Sequence, residues 1–245
     1  GASRDRPGGF EGPYYHNVAF HEPLTFFAFA AGVIPDVEFV SCVLILPQRQ
    51  ASLVAKQAAE VAVVSGGRLR LGVGTGWNKV EYTALNVDFA ARGRRQEEQI
   101  NLMRQLWTQD IVDFAGEFHT VESAGIKPRP VEPVPIDLGG SAPAALSRCA
   151  RLGDGWIPLG SPNDKSRSML DFIRDERAAA GRSMDGFRVQ AQAQYAGGDP
   201  DRWRSHRDRW ADIGATHIAI ATHGAGPATV DDHLARAAEY LEAVR

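Results

Sequence analysis

The sequence predicts an α/β protein with a TIM (β/α)8 barrel fold, and three observations support this. From residue 36 onward, short apolar runs alternate with amphipathic stretches, a pattern typical of βα units on a parallel sheet. Six such units follow one another without a reversal of topology, which favours a barrel over an open doubly wound sheet. The chain has 245 residues and is 44% hydrophobic, which suits one α/β domain. We therefore expect a single domain over residues 1–245.

Each predicted strand is a short apolar run, and each predicted helix has apolar residues at helical spacing. The strands are expected at residues 37–46, 68–73, 134–139, 155–159, 187–195 and 216–221. The helices are expected at residues 23–31, 52–64, 92–108, 142–152, 164–180, 200–213 and 230–244. The last helix carries an aliphatic stripe that we expect to pack on the sheet. This stripe consists of Val230, Leu234, Ala237, Ala238, Leu241 and Val244.

Six strands are predicted, two fewer than the eight of a closed barrel, and the two missing strands would precede the first predicted strand. Residues 1–15 carry glycine, proline and charge without a strand pattern. An open remnant would leave strand edges exposed, so we expect that two upstream strands are missing from this sequence or are supplied by a partner chain. Residues 111–133 predict a small hairpin and an extended segment that decorate the barrel.

Composition excludes several classes of function. A net charge of −3 and a pI near 6.2 provide no basic field for nucleic acid or an anionic membrane surface. No signal peptide or membrane-spanning stretch is recognised, so we expect a cytoplasmic protein. Cys42 and Cys149 lack metal-ligand spacing and are expected to be buried thiols. No strand end supplies a cluster of histidine and aspartate, so no metal site is expected.

A glycine-rich turn follows the second predicted strand. Gly72, Gly74 and Gly76 let backbone N–H groups approach a flat ring or a phosphate closely, because no Cβ intervenes. A dinucleotide fingerprint would need another glycine where Trp77 stands, which disfavours a Rossmann fold.

The chain resembles the bacterial luciferase-like monooxygenases in motifs that follow the same order along nearly its whole length. These motifs are LP at 46–47, LVAKQ at 53–57, SGGRL at 65–69, GVGTGWN at 72–78, KPRP at 127–130, LGGSAPAAL at 138–146 and RLGDGW at 151–156. The branch that uses the deazaflavin coenzyme F420 looks most similar. The resemblance implies a TIM barrel, usually a homodimer, that holds its cofactor ring at the C-terminal mouth and acts on a small molecule.

The resemblance also implies cofactor contacts at two places in the first half of the chain. Ser41, Cys42 and Val43 match the family's bulge beneath the ring, with a non-prolyl cis peptide expected at Cys42–Val43; the residues alone would indicate a trans strand with a small cysteine. The loop of Gly74, Thr75 and Gly76 matches the border of the ring and its sugar-alcohol chain, and Thr75 can donate a hydrogen bond there. Alternatively, Thr75 is an ordinary turn residue. Asn78 and Trp77 are candidates for the pocket wall, although Trp77 equally suits a core position.

A third loop, Gly139, Gly140 and Ser141, matches the family's cofactor-phosphate loop. It leads into a helix start that we expect Ser141 to cap, with Pro143 at an early helical position. Glycines before a helix N-terminus suit an anion, although an ordinary capped joint fits the residues equally well. Three arginines lie at the start of the predicted helix 92–108, namely Arg92, Arg94 and Arg95. One of them could neutralise the phosphate, or all three could be solvated.

His223 follows the last predicted strand and is the one candidate for proton transfer, with ordinary polar surface as the alternative. In several relatives a histidine at the end of the second barrel strand assists this step. That position falls in the stretch expected to be missing, so the catalytic residue stays unassigned.

Three functions remain open. The first is hydride transfer between F420 and an organic substrate, with the cofactor performing the chemistry. The second is an FMN-dependent monooxygenase that uses reduced flavin and oxygen. The third is a non-catalytic binding or scaffold barrel. Binding of FMN or F420 discriminates between these.

Overall fold

The computed structural model describes residues 2–6, 8–12, 14–226 and 228–245. Its contacts divide the chain into two compact units, Gly1–Ile136 and Asp137–Arg245.

The first unit is built around β3, which pairs in parallel with β1 and with β2. All six residues of β3 are buried, as its apolar sequence predicts for a strand covered on both faces. The elements are α1 (Pro23–Val33), β1 (Phe39–Val40), β2 (Leu44–Ile45), a 3-10 turn (Leu46–Gln48), α2 (Ala51–Ser65), β3 (Leu69–Gly74), α3 (Lys79–Ala84), α4 (Arg92–Thr108), β4 (Val112–Ala115) and β5 (Thr120–Ala124).

Helix α2 packs on α1 and α4. The Trp107 indole N–H of α4 donates to the Ala55 carbonyl of α2 over 2.9 Å, which satisfies a buried polar atom at this contact. Gly66 caps the C-terminal end of α2 with a φ of 67°, a left-handed conformation that favours glycine. The hairpin predicted in residues 111–133 is confirmed by the antiparallel pair β4–β5.

The second unit is a parallel sheet in the order β6-β7-β8-β9, with helices between successive strands. Its elements are β6 (Ile136–Gly139), α5 (Pro143–Leu152), β7 (Gly155–Ile157), α6 (Asp164–Ala179), β8 (Arg188–Gln194), α7 (Pro200–Ile213), β9 (His217–Ala221) and α8 (Val230–Val244). Side chains of Asn163, Asp199 and Thr229 cap the starts of α6, α7 and α8 by accepting backbone N–H groups.

The strand predicted at residues 37–46 is interrupted. Val40 pairs with Arg70, and Leu44 pairs with Val73. Between these two pairs β3 advances by three residues, whereas the chain from β1 to β2 advances by four. The extra residue makes a bulge between β1 and β2, which is the arrangement that the resemblance implied. The largely apolar run continues through residues 41–43, so the hydrophobic pattern does not reveal the break.

The prediction for the packing face of the last helix is wrong for most of the stripe. Val230, Leu234 and Leu241 are exposed, and Tyr240 is the buried residue of α8. Tyr240 packs with Trp203 and with Ala193 of β8, where its large ring covers apolar surface, and Val244 of the predicted stripe packs against the same cluster. The packing face is therefore turned toward Tyr240.

In the described part of the chain, no helix is both long and apolar enough to cross a membrane. Among the same residues, no group of three or more histidine, cysteine or acidic side chains is arranged to hold a metal ion. The expectation of two missing upstream strands stays a prediction.

Candidate functional site

The bulge between β1 and β2 lies directly against β3. The Ser41 hydroxyl is buried and donates to the Gly72 carbonyl over 2.8 Å, which ties the bulge to the centre of β3. The Cys42–Val43 peptide bond is cis, as predicted. Cys42 is exposed, which corrects the expectation that both cysteines are buried; Cys149 is buried.

The glycine turn after β3 fits onto the same bulge. A Cβ added to Gly74 would lie 2.7 Å from Val43 Cγ2, and one added to Gly76 would lie 2.8 Å from Ile45 Cγ2. Gly76 also has a φ of 67°, so both space and backbone conformation require glycine there. The structure therefore brings together two of the three predicted cofactor segments, residues 41–43 and 74–76.

The short helix α3, which the sequence analysis missed, holds the other side of this turn. The Tyr82 side chain is fully buried, and its hydroxyl donates to the Thr75 carbonyl over 2.5 Å. Burial raises the pKa of Tyr82 to about 12, so the hydroxyl remains a donor at neutral pH. Asn78 begins α3: its side-chain oxygen accepts the Val80 N–H over 3.1 Å. The Asn-x-x-Glu pattern at residues 78–81 was the available signal for this helix.

The arginines at the start of α4 all contact protein groups. Arg92 donates to the Phe89 carbonyl, and Arg95 donates to the Pro47 carbonyl. Arg94 forms two hydrogen bonds with the Glu117 carboxylate. Each guanidinium is thus engaged within the first unit.

In the second unit, Gly139, Gly140 and Ser141 lie where β6 leads into α5. Gly140 has a φ of 130°, and its carbonyl accepts the Trp156 indole N–H over 2.9 Å, which fixes the loop. The prediction that Ser141 caps α5 is wrong. Ala142 occupies the N-cap position without a side-chain hydrogen bond, because the helix starts at Pro143, one residue later than a cap at Ser141 requires.

These residues fit a flavin-type cofactor in two respects. The turn at 74–76 presents backbone without large side chains, and Cys42 is exposed on the bulge beside it. The hydroxyls of Thr75 and Ser141 make no hydrogen bond within the described residues, so both are free for polar groups of a ligand. His223 lies in an exposed turn after β9. The roles of all these residues remain predictions.

The comparisons with known proteins indicate the family of the chain. The family model described as luciferase-like monooxygenase matches residues 7–243. An uncharacterized protein of Mycobacterium tuberculosis (strain H37Rv) is 38% identical over 69% of this chain and 62% of its own length. An F420-dependent glucose-6-phosphate dehydrogenase of Nakamurella multipartita is 34% identical over 65% of this chain and 48% of its own length. An FMNH2-dependent dimethylsulfone monooxygenase of Pseudomonas fluorescens is 30% identical over 65% of this chain and 44% of its own length. The aligned part is thus less than two thirds of these relatives.

Solved structures share the fold. An F420-dependent secondary alcohol dehydrogenase in complex with an F420-acetone adduct superposes with a TM-score of 0.82 at 17% identity, covering 96% of this chain and 88% of that one. The F420-dependent tetrahydromethanopterin reductase of Methanopyrus kandleri superposes with a TM-score of 0.77 at 14% identity, covering 92% and 88%. These neighbours support the predicted luciferase-like barrel fold. The match over residues 7–243 shows that the chain belongs to the luciferase-like monooxygenase family.

Proposed function

We propose that this chain binds coenzyme F420 and acts as an oxidoreductase on a small organic molecule. The observation that carries the proposal is the fit between the bulge at residues 41–43 and the turn at residues 74–76, where Gly74 and Gly76 carry no side chain. A bulge braced by Ser41 provides a firm support for one face of a flat ring. The relative from Nakamurella multipartita, which is named as F420-dependent, supports this choice of cofactor.

The residues have distinct roles in this proposal. Bound F420 supplies the hydride chemistry. Cys42 and Val43 support the ring, and the Thr75 hydroxyl donates a hydrogen bond to the sugar-alcohol chain. The loop of Gly139, Gly140 and Ser141, at the N-terminal end of α5, binds the phosphate. His223 is the candidate for holding a proton near the substrate.

An FMN-dependent monooxygenase is the second candidate, and the relative from Pseudomonas fluorescens favours it. The same bulge, turn and phosphate loop would then serve FMN. A non-catalytic binding barrel is the third candidate. A homodimer and a cytoplasmic location, both implied at the sequence level, stay predictions.

Calorimetric titration of the purified chain with oxidised F420 and with FMN, at matched ionic strength, tests the proposal. We expect F420 to bind more tightly than FMN. Thr75→Val and Ser141→Ala each remove one hydroxyl, and each should weaken F420 binding about five- to ten-fold, as expected for loss of about 1 kcal/mol per hydrogen bond.

Thr120→Val on β5 and Ser168→Ala on α6 are the matched controls, because both residues are exposed and lie outside the three loops. They should leave the Kd unchanged. Tighter binding of FMN would favour the second candidate. Binding of neither cofactor would contradict the proposed cofactor-binding function of this chain.

A further inference from the structure

The front of the chain folds back on itself and carries aromatic side chains. We define the front segment as the described residues between 2 and 20. Ala2 pairs with Tyr15 in an isolated bridge, and the His16 N–H donates to the Ala2 carbonyl over 3.3 Å. The Arg4 guanidinium lies 3.8 Å from the centroid of the Tyr15 ring. Phe10 meets the same ring edge-on at a centroid distance of 6.0 Å.

Trp77 attaches this segment to the glycine turn. Phe10 and Trp77 are stacked, with ring centroids 6.0 Å apart and planes at 25°. A Cβ added to Gly12 would lie 2.3 Å from Trp77 Cη2, so the segment rests directly on the indole. Because Trp77 is the residue next to Gly76, this contact places the front segment beside the proposed ring site.

The surface of this segment is aromatic without an excess of either charge. Phe20 is 67% exposed and Trp77 is 50% exposed, so both rings can accept a partner. Tyr14 meets Phe20 edge-on at a centroid distance of 4.9 Å. Residues 2–20 contain two basic and two acidic side chains, namely Arg4, Arg6, Asp5 and Glu11. Because these charges balance, residues 2–20 provide no net positive charge to attract a phosphorylated substrate.

We infer that the front segment and Trp77 form a substrate-binding wall, and that this wall selects a planar, uncharged aromatic molecule over a phosphorylated sugar. The inference rests on the proposed function, since it names the substrate class of the same site. A flat apolar ligand is stabilised by stacking on the exposed rings. An anionic ligand would lose hydration without gaining an oppositely charged partner from the front segment. Trp77 acts both as a contact for the substrate and as the anchor of the wall.

The test uses two probes, 2-naphthol and glucose 6-phosphate, titrated by calorimetry into the full chain with and without F420. We expect 2-naphthol to bind with a Kd on the order of 1 mM or below, as is ordinary for a ligand of its size. Glucose 6-phosphate should show no binding at the same concentrations. Trp77→Ala should weaken 2-naphthol binding about five-fold or more, and Trp77→Phe should weaken it less because a ring remains.

Phe29→Ala is the matched control, because Phe29 is an exposed aromatic residue on α1 outside the front segment. It should change the Kd for 2-naphthol less than two-fold, and circular dichroism should confirm that every variant is folded. An equal effect of Phe29→Ala and Trp77→Ala would overturn the inference, as would preferential binding of glucose 6-phosphate. If F420 binds and 2-naphthol does not, this inference is contradicted and the proposed function stands. If 2-naphthol binds in a Trp77-dependent manner and neither F420 nor FMN binds, the proposed function is contradicted and the aromatic wall stands.

Discussion

At the scale of single residues, Tyr82 fixes the turn that follows β3. Its hydroxyl donates to the Thr75 carbonyl from a fully buried position. Tyr82→Phe removes that donor without changing the packing of the ring. We expect a loss of about 1 kcal/mol in the free energy of unfolding, and F420 binding several-fold weaker. The first is measured by urea denaturation and the second by calorimetry.

Tyr195→Phe is the control for this prediction, because the Tyr195 hydroxyl donates to Glu239 at the surface. It should change both quantities little. Since burial raises the pKa of Tyr82 to about 12, the effect of Tyr82→Phe should be constant between pH 6 and 9. An effect that disappears within that range would contradict the assigned donor.

The two cysteines are predicted to differ in reactivity. Cys42 is exposed, while burial raises the pKa of the Cys149 thiol and keeps it protonated. Titration of the native protein with a thiol-reactive disulfide should therefore modify one cysteine rapidly, and denaturant should expose the second. Cys42→Ser should abolish the rapid phase. Rapid modification of Cys149 in the native protein would show that its surroundings are more open than the structure indicates.

At the scale of secondary-structure elements, Glu98 of α4 holds the β4–β5 hairpin. Its carboxylate accepts the N–H groups of Glu117 and Phe118 and contacts His119 Nδ1 at 2.8 Å. Burial raises the pKa of Glu98, but these hydrogen bonds outweigh it and the pKa lies below its usual value of 4.5. Burial lowers the pKa of His119 below 6.5, so at neutral pH the ring is neutral and donates from Nδ1.

Lowering the pH should therefore weaken the attachment of the β4–β5 hairpin to α4. For both groups the folded-state pKa is lowered, so their stabilising contribution is complete above the usual pKa and declines as the pH falls below it. His119 begins to lose its contribution below about pH 6.5, and Glu98 below about pH 4.5. The protection of residues 112–124 from hydrogen exchange, measured relative to the intrinsic amide exchange rate at each pH, should decrease over that interval. Glu98→Gln should show fast exchange at pH 7, and a hairpin unaffected by Glu98→Gln would contradict this account.

A glycine in β7 leaves room for an ion pair between its neighbours. Asp137 of β6 is fully buried and lies 2.7 Å from Arg188 of β8, although β7 runs between these strands. A Cβ on Gly155 would lie 2.4 Å from Asp137 Oδ1. Gly155→Ala should therefore reduce the free energy of unfolding by about 2 kcal/mol or more, since it overpacks a buried charged pair.

Gly32→Ala is the matched control, because a Cβ at this position of α1 meets nothing within 4 Å. It should increase stability by about 0.5–1 kcal/mol through helix propensity. Denaturant titration of both variants measures the difference. Equal effects of the two substitutions would contradict the assigned role of Gly155.

At the scale of the whole molecule, the alternation of apolar runs and amphipathic stretches predicts most strands and helices. The bounds of α4, α7 and α8 agree with the sequence prediction, because continuous helical spacing marks both ends. Helix α3 was missed because its six residues, Lys79–Ala84, are too few for a period to show. The packing face of α8 was misjudged because only aliphatic positions were counted, whereas Tyr240 makes the buried contact.

For the candidate site, the sequence displays the glycines of the turn, and the family resemblance implied residues 41–43 as its neighbours. That positions 74 and 76 lie against Val43 and Ile45 required the structure. The Tyr82 contact depends on how α3 folds back onto the turn, which no local pattern encodes. Likewise, the attachment of Gly12 to Trp77 joins residues far apart in the chain and needed the structure.

Hydrogen exchange with and without saturating F420 tests the central claim most directly, because it locates the cofactor along the chain. The account predicts slower exchange in three segments, residues 41–43, 74–76 and 139–141, with residues 164–179 of α6 unchanged. Protection outside these segments, with none within them, would contradict the proposed cofactor site.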